Sequence, residues 1–173
     1  MEQHKERSLE GLTPEEQRYF NRGRRMLERF PKGPRYFSAA HRLVFRLTGG
    51  SFGGTVLGSP IGLLTTTGRH SGQTRTVPVV YLDDVSRFLV VASNSGLDLP
   101  PAWCLNLRAN PEAEIRTRTG AERVIGRELT DSERTELWPR LLSHNAMWGA
   151  YQSCTKRQSA VFALEHSRNH SPA

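Results

Sequence analysis

The sequence predicts a mainly β fold of the α+β class, an antiparallel barrel with peripheral helices, and three observations predict it. Short runs of β-branched and apolar residues recur from Ile61 onward, separated by tight polar turns. These runs follow one another too closely for parallel strands, whose crossover connections need about a dozen residues or more. Helical signals precede the runs or are inserted between them, without a regular strand–helix alternation. A small closed sheet with helices outside is the simplest way to bury such strands.

Thr13-Pro14-Glu15-Glu16 opens the first helix. Thr13 is a good N-cap, Pro14 suits the first helical position and Glu16 completes a capping box. The helix is expected to run to about Phe30, where Pro31-Lys32-Gly33-Pro34 breaks it. A second short helix is expected over residues 38–47, with Leu43, Val44 and Leu47 on one face and Arg42 and Arg46 opposite. Thr48-Gly49-Gly50-Ser51-Phe52-Gly53-Gly54 then reads as a flexible connector.

Strands are expected over residues 61–67, 74–82, 87–93, 113–118 and 123–129. Asp83-Asp84-Val85-Ser86 and Thr119-Gly120 are hairpin turns. Pro78 inside the second strand points to an edge position or a bulge, because proline gives no ladder donor. Pro101 opens a helix through Arg108 that ends at Asn110-Pro111. Thr130-Asp131-Ser132-Glu133 is a second capping box, and its helix should run to about Ser143 with a kink or boundary at Pro139. A last strand is expected over residues 159–164, followed by a frayed tail.

At 173 residues the chain is long enough for one domain with an appendage. We divide it into a basic helical N-terminal segment with its glycine-rich connector (1–54), a barrel domain (55–165) and a flexible tail (166–173). Cys104 and Cys154 have no metal-ligand spacing and form no disulfide framework, which points to a reduced, cytoplasmic setting. No apolar run approaches the roughly 18 residues of a membrane span. No signal-peptide apolar region follows the first residues. The formal net charge of +7 favours an anionic partner: a phosphorylated cofactor, an acidic membrane surface or nucleic acid. Arginines concentrate in the N-terminal segment, including Arg18, Arg22, Arg24, Arg25 and Arg29.

Standard enzyme templates are missing. There is no Walker loop, no Gly-x-Gly-x-x-Gly after a strand, and no metal-type spacing among His41, His70, His144 and His166. If the chain is an enzyme, a bound cofactor carries the reaction. Three stretches can serve one. The first is the turn Gly68-Arg69-His70-Ser71-Gly72-Gln73 with Arg75. Its glycines permit close approach of backbone, and its arginines supply forks for phosphate or carboxylate. It reads equally as a solvated hairpin tip. The second is Val90-Val91-Ala92-Ser93-Asn94-Ser95-Gly96, followed by the helix start Pro100-Pro101-Ala102-Trp103, where free amides and a dipole end attract anions. Trp103 and Leu107 fit core packing in any case. The third is His144-Asn145-Ala146-Met147-Trp148-Gly149-Ala150-Tyr151-Gln152-Ser153. There Trp148 and Tyr151 can line a flat pocket, with Tyr151 offering a hydrogen bond or proton, or can pack a late helix on the barrel.

Leu64-Thr65-Thr66-Thr67-Gly68-Arg69-His70-Ser71-Gly72-Gln73-x-Arg75-x-x-Pro78 resembles a motif of the deazaflavin (coenzyme F420)-dependent nitroreductase and quinone reductase family. So does Val90-Val91-Ala92-Ser93-Asn94-Ser95-Gly96 with Pro101-Ala102-Trp103-Cys104-Leu105-Asn106-Leu107-Arg108-Ala109-Asn110-Pro111. With Tyr151-Gln152-Ser153 the resemblance spans roughly residues 55–165. It implies a split β-barrel of the FMN-binding-split-barrel type. It also implies an oxidoreductase that passes a hydride from reduced F420 to a quinone, a nitroaromatic or another electron-poor acceptor. By the same resemblance, Arg69, His70, Ser71, Gly72, Gln73 and Arg75 grip the phosphate and acidic tail of the coenzyme. Val77, Pro78, Ala92, Ser93 and Asn94 border its ring system, and Gly96, Pro101, Ala102, Trp103 and Asn106 close the groove. Tyr151 and Ser93 are the candidates for protonating the acceptor, and Asn145, Trp148 and Tyr151 for lining its pocket.

Departures reshape two places. The family often has Lys where this chain has His70, so grip on the acidic tail should weaken as pH rises. Asn145 and Trp148 stand where nitroimidazole-reducing members carry tyrosines, which points away from prodrug-type nitroreduction. Alternative readings are an FMN-binding split-barrel protein and a non-catalytic deazaflavin-binding protein. A nucleic-acid-binding module would suit the charge, but no DNA-reading motif is present and no nucleic-acid partner is expected. The basic N-terminal helix either lies on an anionic membrane at the inner face of the cell or covers the barrel. Oligomeric state is left open.

Overall fold

A computed structural model describes residues 11–29 and 54–167. The helix expected over 38–47, most of the glycine-rich connector and the end of the tail lie outside the described residues. Helices α1 (Pro14–Arg29), α2 (Ala102–Ala109), α3 (Asp131–His144) and α4 (Met147–Ser153) accompany seven strands. The strands are β1 (Thr55–Val56), β2 (Ser59–Thr67), β3 (Thr74–Asp83), β4 (Arg87–Val91), β5 (Glu112–Arg116), β6 (Ala121–Glu128) and β7 (Val161–His166).

All strand pairings are antiparallel, in the order β1-β2-β3-β4-β7-β6-β5. β2 also pairs with β5, from Leu63↔Arg116 to Thr66↔Ala113, and this second partner closes six strands into a barrel. Closure removes the edges that an open sheet would expose. The β3–β4 ladder covers only Tyr81↔Val90 to Asp83↔Phe88. Pro78, opposite Leu63 of β2, therefore sits in a part of β3 paired on one side, the edge position proline requires.

Side-chain alternation sorts the strand residues into two cores. Leu64, Val79, Tyr81, Phe88, Val90, Ile115, Val124, Phe162 and Leu164 fill the barrel. Trp103, Cys104 and Leu107 of α2 join them, with Trp103 edge-on to Phe162 at 5.7 Å between ring centroids. The intervening residues Leu89, Val91, Val161 and Ala163 face outward, against Leu129, Leu141 and Trp148. β4 and β7 are thus buried on both faces. A third cluster joins Leu12 and Phe20 of the α1 region to Met147 and Ala150 of α4.

Both expected capping boxes form. Thr13 and Glu16 exchange backbone and side-chain hydrogen bonds, and so do Thr130 and Glu133. α3 continues through Pro139 to His144. Proline removes a hydrogen bond inside a helix, and here both Pro139 and Thr135, four residues earlier, are exposed, where water can satisfy the released carbonyl. The last strand is shifted relative to the sequence reading. It begins at Val161 rather than residue 159 and takes in His166, which composition places in the tail. The cause is two-sided pairing: Glu165 lies opposite both Arg87 and Ile125, and His166 opposite Val124, with Nδ1 2.8 Å from the Glu122 carboxylate.

Two predictions follow from this packing. A Cβ on Gly126 of β6 would lie 2.9 Å from Cδ2 of buried Leu107, so Gly126→Ala is expected to cost about 1–3 kcal/mol in urea unfolding. Arg127, with the Thr130 amide and hydroxyl, holds the Glu133 carboxyl down to about 2 from an ordinary 4.5. Because the folded value is the lower one, this contribution is full above pH 4.5 and is lost as pH falls toward 2. The stability difference between wild type and Glu133→Gln should shrink over that interval.

Candidate functional site

The hairpin joining β2 to β3 is tight at its base and open at its tip. The Gly68 amide donates to the Gln73 carbonyl at 2.8 Å, and the Gly72 amide to the Gly68 carbonyl at 2.8 Å. Gly72 has φ +65, which glycine adopts without strain. A Cβ on Gly68 would meet Ser71 Oγ at 2.9 Å and the Gln73 carbonyl at 3.0 Å. Arg69, His70, Ser71, Gly72, Gln73 and Arg75 are all exposed. Among the described residues, no carboxylate forms an ion pair with Arg69 or Arg75. The tip is a set of cations and hydroxyls on a fixed backbone.

Asn106 fixes that backbone to the barrel. It is buried on α2, accepts from the Arg69 amide through Oδ1 at 3.2 Å and donates Nδ2 to Thr66 Oγ1 at 3.0 Å. Its amide is thereby committed to protein partners, so Asn106 positions the turn rather than closing a groove with a free polar group.

The loop after β4 is built differently. Asn94, Ser95 and Gly96 have φ of 47, 54 and 77, three left-handed residues in succession. Such a conformation costs of order 1–3 kcal/mol at each non-glycine residue and persists only where the surroundings impose it. Asn94 Nδ2 donates to the Leu99 carbonyl at 2.7 Å. A Cβ on Gly96 would lie 2.7 Å from Cβ of Cys154, so the loop presses directly on the end of α4. Arg157 donates to the carbonyls of Ser93 and Leu97. Burial lowers the Arg157 pKa, while nearby Cys104 and Asp98 oppose the shift. Ser93 is right-handed at φ -69, and a right-handed residue followed by left-handed ones gathers amides into a concave donor set. Among the described residues, the Ser93, Asn94 and Ser95 amides donate to no protein acceptor.

The remaining expected residues divide. Pro101 is the extended N-cap of α2 and Ala102 its exposed first residue. Trp103 is a core residue, and Val77 packs against that core. Tyr151 is partly buried on α4, with its ring 5.6 Å from that of Phe20 of α1. Burial raises its pKa well above the usual tyrosine value, Tyr19 and Cys154 push the same way, and a hydrogen bond from Ser95 opposes them. The phenol therefore stays protonated and links α4 to the left-handed loop.

Trp148 and Asn145 do not line a pocket with Tyr151. Trp148 is 4% exposed and sits in the outer core between β4, β7 and α3. Asn145 is 8% exposed and its Oδ1 accepts the Met147 amide at 3.0 Å, an Asx-type turn that leads into α4. Trp148 packs into the outer core and Tyr151 against Phe20 of α1, although the two stand three residues apart on the two-turn helix α4. Arg157 and Thr66 were missed. Arg157 stands in the polar stretch Thr155-Lys156-Arg157, and nothing local distinguishes it from a surface arginine.

A family model described as F420H(2)-dependent quinone reductase matches residues 38–166. An F420H(2)-dependent quinone reductase of Mycobacterium tuberculosis (strain H37Rv) is 34% identical over 128 residues, 72% of this chain and 86% of the relative. A solved F420-H2 dependent reductase superposes with a TM-score of 0.57 at 33% identity, covering 64% of this chain and 98% of that one. A second solved chain, described as a domain-swapped dimer, superposes with a TM-score of 0.58 at 31% identity, covering 73% and 96%.

Removing the Asn106 amide leaves the buried Thr66 hydroxyl and the Arg69 amide unpaired. Asn106→Ala is expected to lower unfolding free energy by about 1–3 kcal/mol and to speed amide exchange in the 68–73 turn.

Proposed function

The chain belongs to the F420H2-dependent quinone reductase family, and from that premise we propose how its own residues hold the coenzyme and serve the acceptor. It is an oxidoreductase with a split β-barrel fold, its coenzyme is F420, and a quinone-type acceptor fits the family. When bound, the reduced deazaflavin supplies the hydride. The chain supplies position and polarity.

One observation carries the assignment of the coenzyme site: α2 holds a cationic hairpin tip through Asn106 and is entered from a loop with a concave set of amides, and among the described residues neither the guanidinium groups of the tip's arginines nor those amides have a protein partner. The coenzyme's acidic tail matches the first, and a ring system rich in carbonyl acceptors matches the second. Arg69, His70 and Arg75 bind the tail, with Ser71, Gly72 and Gln73 adding hydroxyl, backbone and amide contacts. Ser93, Asn94 and Ser95 present their amides to the ring, bordered by Val77 and Pro78, while Ala92, expected at that border, is fully buried in the barrel core and backs it. Gly96, Pro101 and Ala102 continue that wall.

On the acceptor side, Tyr151 donates a hydrogen bond from a phenol that remains protonated throughout the neutral range. The Ser93 hydroxyl is the second donor. Neither needs a pKa near neutrality, because the hydride transfer itself requires no protein base.

No helix of the described residues is long and apolar enough to cross a membrane. The exposed arginines of α1, Arg18, Arg22, Arg25 and Arg29, suit a peripheral position on the anionic inner face of the cell membrane, where lipid quinones are concentrated. The protein is accordingly assigned to the cytoplasm and that surface. The domain-swapped relative makes a dimer the first oligomeric state to test.

Titrating oxidised F420 and FMN side by side should give tight binding of F420 alone. Arg75→Ala should weaken F420 binding by about tenfold or more, the worth of one charge-assisted contact, and leave any FMN binding unchanged. Equal losses for both ligands would contradict the tail assignment. Tyr151→Phe should lower kcat with menadione by about tenfold, one hydrogen bond's worth, without introducing or removing a titration below pH 9.

A further inference from the structure

The left-handed run at Asn94–Gly96 is held mainly from outside its own loop. Arg157 lies between α4 and β7, far from that run in sequence. Its Nε donates to the Leu97 carbonyl at 2.9 Å and its Nη2 to the Ser93 carbonyl at 2.7 Å. One planar guanidinium therefore grips both ends of the strained turn, a geometry suited to a fork rather than to a point charge.

The grip is itself anchored. Gln152 of α4 donates Nε2 to the Arg157 carbonyl at 2.8 Å. Gln152 Oε1 accepts the Ser159 amide at 2.8 Å and Arg134 Nη2 at 3.3 Å. Thr155 Oγ1 accepts the Arg157 amide at 3.3 Å and donates to the Asp98 carboxylate at 2.7 Å, tying the two loops together a second time. The chain of contacts runs from α4, through the 155–159 backbone, into the guanidinium and on to the carbonyls flanking the turn. Those carbonyls are occupied from behind, while the amides of Ser93, Asn94 and Ser95 are left unclaimed among the described residues.

We propose that Arg157 is the positioning residue of the coenzyme loop, holding Ser93, Asn94 and Ser95 ready to meet the deazaflavin before it arrives. It acts through the Ser93 and Leu97 carbonyls and touches neither coenzyme nor acceptor. This role rests on the assignment of that loop to the coenzyme. A loop ordered in advance loses less conformational freedom on binding, so removing the grip should appear as lost affinity.

The test uses the full chain and oxidised F420, followed by fluorescence quenching, with hydrogen–deuterium exchange of the free protein. Arg157→Ala is expected to raise the F420 Kd by about tenfold. The Gly96 and Leu97 amides should exchange faster, and the kinetic loss should fall on KM for reduced F420 more than on kcat. Added guanidinium should restore affinity, and methylammonium should not. Arg157→Lys keeps the charge and most of the stem, and covers the case in which the alanine variant does not fold. It is expected to show a smaller rise in Kd than alanine. An unchanged Kd in a folded variant overturns the proposal, as does a fall in melting temperature unaccompanied by a change in Kd. Wild type that binds no F420 overturns the assignment of the loop itself, whereas tight wild-type binding with variants to match it overturns only the role of Arg157.

Discussion

Leu107 meets the bare backbone of Gly126 on β6, and that contact lets the buried face of α2 pack closely on the barrel core. The depth of α2 then sets the position of everything attached to it. Trp103, one turn earlier, reaches Phe162 of β7. Asn106, beside Leu107, arrives at Thr66 and at the first amide of the β2–β3 turn. Were α2 held outward by even a methyl group, Asn106 would draw back from both partners. The cationic tip is thus referenced to the barrel core through one glycine and one asparagine, although every cation on it is exposed.

The two walls of the candidate site are stabilised by opposite means. The β2–β3 turn adopts ordinary turn geometry with glycines where they are needed, and requires only a tether. The loop after β4 contains two non-glycine residues in left-handed conformation and has to be held by several groups at once. Strain of this kind survives where the surroundings are rigid. β4, from which the loop departs, is packed on both faces, and the Ala92 amide still pairs with the Ala160 carbonyl at 2.8 Å as the strand ends. The strained residues therefore begin from a fixed point and end against Cys154 and Tyr151 of α4.

Strand positions, both capping boxes and the edge character of Pro78 were legible in the sequence because each depends on neighbours within a few residues. Alternation along β4 and β7 was equally local. The end of β7 was not. His166 looks like tail by composition, and only pairing with β6 makes it strand. Trp148 and Tyr151 expose a second limit. They look equivalent as aromatics in one polar stretch, but α4 lies between the outer core, which takes Trp148, and α1, whose Phe20 meets Tyr151. Arg157 marks a third limit, since its partners lie about 60 residues away in the chain and no local pattern announces them. Asn106 was singled out in the sequence, but as a groove residue. Its tethering role became visible only with Thr66 beside it.

Among the described residues, the aromatic partner of Tyr151 comes from a part of the chain outside the family match. The matched region begins at residue 38, whereas Phe20, whose ring lies 5.6 Å from that of Tyr151, and Tyr19, which acts on its ionisation, both belong to α1. Asn145 and Trp148 contribute nothing exposed there. The side proposed for the coenzyme is assembled from segments inside the matched region, tied to the barrel by α2 and to α4 by Arg157. The side proposed for the acceptor is instead bordered by a helix that precedes the matched region, docked through Phe20 onto Met147 and Ala150. A helix docked by one buried aromatic, with arginines along its exposed surface, can respond to an anionic surface without disturbing the barrel. On the proposed assignment, α1 reaches the acceptor side through Tyr151, whereas the coenzyme walls are held by α2 and Arg157, so a change in α1 acts on the acceptor side without passing through either wall.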